Sequence, residues 1–302
     1  MTQTALILGA SGRFGRNARL AFQAAGWEVR VFSRGSDTLA QAARGVDVIV
    51  NGWNPAYPNW AKDVPNLTRL VIDAATRARA TVLLPGNVYV FGNDTPSPWS
   101  GETPHLATNS LGRIRIEMEE AYRASSVRTI ILRAGDFIDT KASGNWFDQV
   151  MIKRLARNQL IYPGNPEALH AWAYLPDLSR AAVALAEMRR ELPRFCDVPF
   201  EGYTLTGTQI AQSLSRVIGR PIAVKPMQWW PLQLARPFWS MAPHLIEMRY
   251  LWQMPHQLDG AHLADLLDPV VQTDLDDAMR TAIPTETVAS LSAIANAGDA
   301  LG

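Results

Sequence analysis

The chain has 302 residues, 47% of them hydrophobic and 19% charged, with a formal net charge of +1. This composition suits a globular protein with a sizeable core and excludes a disordered chain, and the balanced charge gives no overall attraction to nucleic acid or to an anionic membrane. One cysteine, Cys196, excludes an internal disulfide, and no apolar run approaches the roughly 18 residues of a membrane span.

The elements follow in chain order. Ala5-Leu6-Ile7-Leu8 predicts a buried first strand that runs into Gly9-Ala10-Ser11-Gly12-Arg13-Phe14-Gly15, with a helix to about Ala25. No signal-peptide pattern precedes that strand, so a cytoplasmic protein is expected. Three glycines spaced three apart, between a strand and a helix, predict a turn that cradles a dinucleotide pyrophosphate. Gly9 turns the chain, Gly12 removes the Cβ that would hold a phosphate away, and Gly15 lets the helix pack closely.

Further strands are predicted at Glu28–Phe32, Val46–Val50, Thr81–Leu84 and Thr129–Leu132, and helices at Val64–Arg79 and Leu111–Ala124. Nearly apolar strands alternating with helices mean a parallel sheet covered on both faces. Beyond about residue 140 the rhythm changes. Asp177 is placed to N-cap a helix over Leu178–Arg189, and a helix pattern covers Thr208–Ile218. The expected fold is α/β: a Rossmann-type, doubly wound parallel sheet over residues 1–190, with a smaller, mostly helical substrate-side subdomain over 191–302. The 140–170 segment is expected to contribute to the substrate side.

These motifs resemble the short-chain dehydrogenase/reductase superfamily, in its extended branch of NAD-dependent epimerase/dehydratase-like proteins. The resemblance rests on Gly9, Gly12 and Gly15, on Asn87-Val88-Tyr89-Val90-Phe91-Gly92, and on Glu102-Thr103-Pro104. It extends to Gly112–Glu119, Arg133-Ala134-Gly135-Asp136-Phe137 and Trp172–Arg180. It implies a nicotinamide cofactor and acid–base chemistry at a substrate oxygen. The branch uses a tyrosine, a lysine four residues later and a serine or threonine. Aligned on the motifs, those positions hold Leu111, Arg115 and Asn87, and no tyrosine in the chain is followed by lysine four residues on. The resemblance therefore assigns ribose contact to Arg115 and substrate orientation to Asn87.

Tyr89 is the nearest phenol by motif. It serves either as a replacement proton donor or as an aromatic packed beneath the cofactor. Arg133 and Asp136 lie near the same crevice, in an ion pair or a cap. Cofactor contacts are expected from Gly9, Ser11, Gly12, Arg13, Phe14, Gly15, Ser33, Arg34, Asn51 and Gly52. At the tip of the second strand Ser33 and Arg34 stand where an NAD-type acidic residue is expected, so NADP(H) is preferred over NAD(H). The five histidines show no metal-ligand spacing, and no metal is expected.

Trp229, Trp230, Trp239 and Trp252 cluster near the C-terminus, with Pro231, Pro237 and Pro243 interrupting any long amphipathic face. They wall a pocket, form a homo-oligomer interface or fill a small core; a lipid-surface helix is the fourth alternative, which those prolines disfavour, and no membrane partner is expected. Two functions remain open: an oxidoreductase or epimerase/dehydratase relative acting on a small carbonyl or alcohol, and a catalytically silent NADP(H)-binding sensor.

Overall fold

Thr4–Leu8 forms β1, buried throughout, and the chain leaves it through Gly9 into α1 (Arg13–Ala24). The computed structural model describes residues 2–284 apart from 34, 36, 37, 268, 270 and 271. Alternation continues through β2 (Glu28–Val31), α2 (Leu39–Ala42), β3 (Val48–Asn51), α3 (Trp60–Ala78), β4 (Thr81–Gly86), α4 (Ser110–Ala124) and β5 (Thr129–Arg133). Then come β6 (Asp136–Ile138), β7 (Gln159–Tyr162), β8 (His170–Tyr174), α5 (Leu175–Glu187) and β9 (Phe195–Pro199). The last described stretch holds β10 (Tyr203–Leu205), α6 (Gly207–Ile218), β11 (Ala223–Pro226), α7 (Trp230–Ala235), α8 (Ala242–Glu247), α9 (Ala261–Leu266) and α10 (Leu275–Ala282).

Six strands form one sheet in the order β2-β1-β3-β4-β5-β9, every pair parallel. The winding reverses between β1 and β3, which opens a crevice beyond their carboxyl ends. The two-residue period of the strands sorts side chains to opposite faces. Leu6, Leu8, Ile49, Val82 and Leu84 join the core beneath α3 and α4, while Ala5, Ile7, Val48, Val50 and Leu83 join the one beneath α1 and α5. β2 departs from the apolar expectation: it is an edge strand, mostly exposed, and its outward residues include Glu28 and Arg30.

The sheet extends past residue 190, because β9 pairs with β5 from Thr129↔Phe195 to Arg133↔Pro199. A third core, from Ile138 to Ile283, holds β6, β8, β10, α6 and α10 together with Trp229 and Trp252. The 140–170 segment contributes Phe147, Met151, Leu155, Leu160 and Tyr162 to it.

Asp177 is not an N-cap. Pro176 is accommodated in the first turn of α5, where its missing N–H costs no helical bond, so the helix starts earlier and carries Asp177 inside it. There the carboxylate accepts bonds from Thr273 N and Oγ1, both at 2.7 Å, and so ties α5 to the segment before α10.

Candidate active site

The glycine turn fits a pyrophosphate. Gly9 has φ +71°, and a Cβ built on Gly15 would lie 2.3 Å from Gly9 O, so α1 can approach this closely only with glycine there. At Gly12 an added Cβ would meet only Gly9 O, at 3.2 Å, with open space elsewhere. Gly12 N donates to Gly9 O at 2.8 Å, which fixes the turn. The first turn of α1 has no acidic side chain, and its leading N–H groups are oriented for an anion. Ser11 is exposed beside them, whereas the Phe14 side chain is buried in the core. Phe14 therefore offers its backbone alone.

Arg13 is engaged by the loop after β6. Its Nε donates to Ser143 O at 2.9 Å and its Nη2 bonds Gly144 O, so it pins the loop after β6 across the helix start. Arg13, expected among the cofactor contacts, thus has its guanidinium engaged by backbone carbonyls of this loop. Ser33 lies just past β2, and Arg34 falls outside the described residues. Asn51 is also turned inward: its Nδ2 donates to Tyr122 Oη at 3.2 Å and its Oδ1 accepts from Trp53 N. Gly52 N donates to Leu8 O at 3.0 Å, holding the β3 exit against β1.

The β3 and β4 exits bring together a group that sequence spacing did not reveal. Asn87 ends β4 and caps a 3₁₀ turn at Val88–Val90, its Oδ1 accepting from Tyr89 N at 3.1 Å. Tyr89 Oη lies 2.6 Å from the Oη of Tyr57, which stands in a short 3₁₀ turn before α3. Burial pushes the Tyr89 phenol well above its ordinary range; Tyr57 and Asp136 add to the rise, and Arg115 opposes it. Tyr57 is raised by burial as well, with Asp136 acting in the same direction and Arg13 and Arg115 opposing. Arg13, Arg115 and Asp136 all act electrostatically on the Tyr57 phenol.

Leu111, at the aligned tyrosine position, is 1% exposed and belongs to the core. Its N–H donates to Glu247 Oε1 at 2.8 Å, and Asn109 Nδ2 donates to the same oxygen, so a carboxylate from α8 closes the start of α4. One turn on, Arg115 is buried, its guanidinium 4.0 Å from the centre of the Trp60 ring. Its Nη2 donates to Asn54 Oδ1 at 2.7 Å and its Nη1 contacts Met118 Sδ, while Nε has no partner. No carboxylate pairs with it among the described residues, and burial holds its pKa below the ordinary arginine range.

Arg133 and Asp136 do form ion pairs, but not with each other. Arg133 is fully buried; its Nη2 bonds Glu119 Oε2 at 2.7 Å and also Asp197, and its Nη1 donates to Asn87 O at 2.5 Å. His105 completes this group, and its ligand atoms lie within 4.8 Å of those of Glu119 and Asp197. The triad has the donor set of a metal site, yet the Arg133 guanidinium already binds both carboxylates. Asp136 instead meets His170, whose Nε2 is 2.8 Å from Asp136 Oδ2. The His170 ring is buried and stacks on Trp252 at 4.3 Å, 14° from parallel, while Asp136 is half-exposed to the crevice.

Neither a family model nor a curated protein matches the sequence. Solved structures do match along nearly all of it. A UDP-glucose-4-epimerase from Stenotrophomonas maltophila, with bound NAD and formylated UDP-arabinopyranose, gives a TM-score of 0.72 at 14% identity, covering 98% of this chain and 99% of that one. A UDP-glucose 4-epimerase from Brucella ovis in complex with NAD gives 0.67 at 18% identity, over 93% and 97%. The NAD-dependent NDP-hexosamine 5,6-dehydratase of tunicamycin biosynthesis gives 0.68 at 17% identity, over 93% of this chain and 96% of that one. This chain shares the Rossmann-type α/β fold of these epimerases and of this dehydratase. The motifs that predicted it, from the glycine turn to Trp172–Arg180, all lie in the sheet, its crevice or the elements beside them.

Proposed function

We propose that the protein is a nicotinamide-dependent oxidoreductase, or an epimerase/dehydratase-like enzyme, acting on a small carbonyl or alcohol such as a sugar nucleotide. The observation that carries this reading is the Tyr57–Tyr89 hydroxyl pair beyond the ends of β3 and β4, on which Asp136 and Arg115 act electrostatically. The crevice offers an acid, a base and a fixed positive charge although Leu111 fills the aligned tyrosine position. The glycine turn and the start of α1 would hold the pyrophosphate, and Ser33 and Arg34 favour NADP(H) through a 2′-phosphate. The NAD-bound neighbours argue for the same cofactor class without that preference. When bound, the nicotinamide accepts or delivers a hydride.

Tyr89 stays protonated at neutral pH because burial disfavours its phenolate. It therefore acts as hydrogen-bond donor and general acid toward a substrate oxygen, with Tyr57 fixing its hydroxyl. Arg115 stabilises negative charge that develops on that oxygen, in a setting where burial strengthens the attraction. Asn87 presents its amide to the same oxygen. Asp136, oriented from behind by His170, is the group suited to take a hydroxyl proton in the oxidative direction.

The test is to follow nicotinamide absorbance with UDP-sugars, keto-sugars, aldehydes, ketones and quinones, in the native protein and in Asp136→Asn. Turnover of a panel member that collapses in the variant supports the reading. Tight cofactor binding with no turnover of any member favours a cofactor sensor, the reading that Leu111 alone would suggest.

A further inference from the structure

The near-neutral net charge conceals a one-sided surface. No aspartate or glutamate occurs between Glu201 and Glu247. Within and beside this stretch Lys225, Arg236 and Arg249 are exposed, and none has an acidic partner among the described residues. The same stretch carries the largest exposed side chains of the described molecule. Trp230 is 62% exposed, Leu234 67% and Phe238 91%, with Trp239 beside them. Spaced four apart, the first three share one face of α7 and its continuation, where Phe238 N and Trp239 N both bond Ala235 O.

The opposite face already has its partners. Trp229 is buried, its Nε1 donating to Pro163 O at 2.7 Å, and Leu232 packs on the third core. The outer ridge is therefore not a core surface left open by poor packing. Nor do the prolines break it. Pro231 and Pro243 stand in the first turns of α7 and α8, where proline is tolerated, and Pro237 follows the end of α7.

We propose that this ridge docks the protein peripherally on an anionic lipid surface, with Trp230, Leu234, Phe238 and Trp239 seated at the headgroup level. Lys225, Arg236 and Arg249 would face the lipid phosphates. Exposed tryptophan and phenylalanine flanked by cations is the side-chain chemistry of an interfacial anchor. The charge distribution decides between occupants. A second copy seated on the same ridge by two-fold symmetry would bring the two Arg236 side chains together, with no acid in α7 to offset them. An anionic membrane neutralises them.

The test is sedimentation of the full chain with vesicles of phosphatidylcholine alone and of phosphatidylcholine mixed with phosphatidylglycerol, reading bound protein and tryptophan emission. Binding to the anionic vesicles, with a blue shift and little binding to the neutral ones, is expected. The double variant Trp230→Ser with Phe238→Ser, made at exposed positions and checked for an unchanged melting temperature, should lose the shift and bind at least about tenfold more weakly. Changing Lys225, Arg236 and Arg249 to Gln should weaken binding about fivefold per charge, and added salt should act in the same direction. Failure to bind either vesicle, equal binding to both, or undiminished binding by the double variant would overturn the proposal. So would a native dimer that dissociates in Phe238→Ser.

Discussion

Tyr57 Oη and Tyr89 Oη stand 2.6 Å apart, although 32 positions separate the two residues in the chain. The pair joins the β3 exit to the β4 exit, and the proposed function gives its hydroxyls the reacting oxygen of the substrate. Tyr89→Phe keeps the ring and removes the acid, so turnover should fall by about 10²–10⁴. Tyr57→Phe leaves the acid but frees its rotation, and the loss should be smaller, about tenfold. Cofactor affinity measured by calorimetry should hardly change in either variant.

Arg133 should be indispensable to stability. Replacing it with Met leaves Glu119 and Asp197 buried without their counter-charge, which costs about 3–5 kcal/mol. Urea unfolding of the variant checks this. Mild acid should narrow the gap between variant and native protein, because protonation removes the uncompensated charges.

The sheet and the glycine turn were legible because they are local. Alternating faces, a glycine spacing and helix-length runs are written within about 20 residues of each other. The site's second half was not. Tyr57 lies in a loop with no motif, His170 is 34 residues from Asp136, and Glu247 closes α4 from 136 residues away. Tertiary packing alone brings them in: Tyr57 lies against the core beneath α3 and α4, as does Met248 beside Glu247, while His170 stacks on Trp252 of the third core. Asn51 and Arg13 were expected at the cofactor on position alone, and their side chains bond protein groups instead. β9 escaped notice because Phe-Cys-Asp-Val-Pro is short and interrupted by an aspartate, the one that binds Arg133.

His105 should make the protein sensitive to acid. Burial first, and the Arg133 charge second, hold its imidazole at about 4, whereas a free histidine titrates near 6.5. Between those values the unfolded chain binds a proton that the folded chain does not. The contribution of neutral His105, at most about 3 kcal/mol, is complete above about pH 6.5 and is lost as pH falls toward 4. Melting temperatures across this interval should drop more steeply for the native protein than for His105→Gln.

Arg34 carries the expected cofactor preference. Arg34→Asp replaces a charge-assisted contact with repulsion, so NADPH affinity should fall about ten- to a hundredfold while NADH affinity holds or rises. Equal native affinities for the two cofactors would remove the preference and leave the nicotinamide reading in place.

The central claim is that the crevice beyond β1 and β3 holds a nicotinamide dinucleotide through its glycine turn. Calorimetric titration of the native protein and of Gly12→Val with NADPH and NADH tests it most directly. A Cβ at this position meets only Gly9 O, at 3.2 Å, so the variant should fold, and circular dichroism would verify that. Saturable one-site binding by the native protein and none by the folded variant are expected. Absence of binding to the native protein, or undiminished binding to the folded variant, would contradict it.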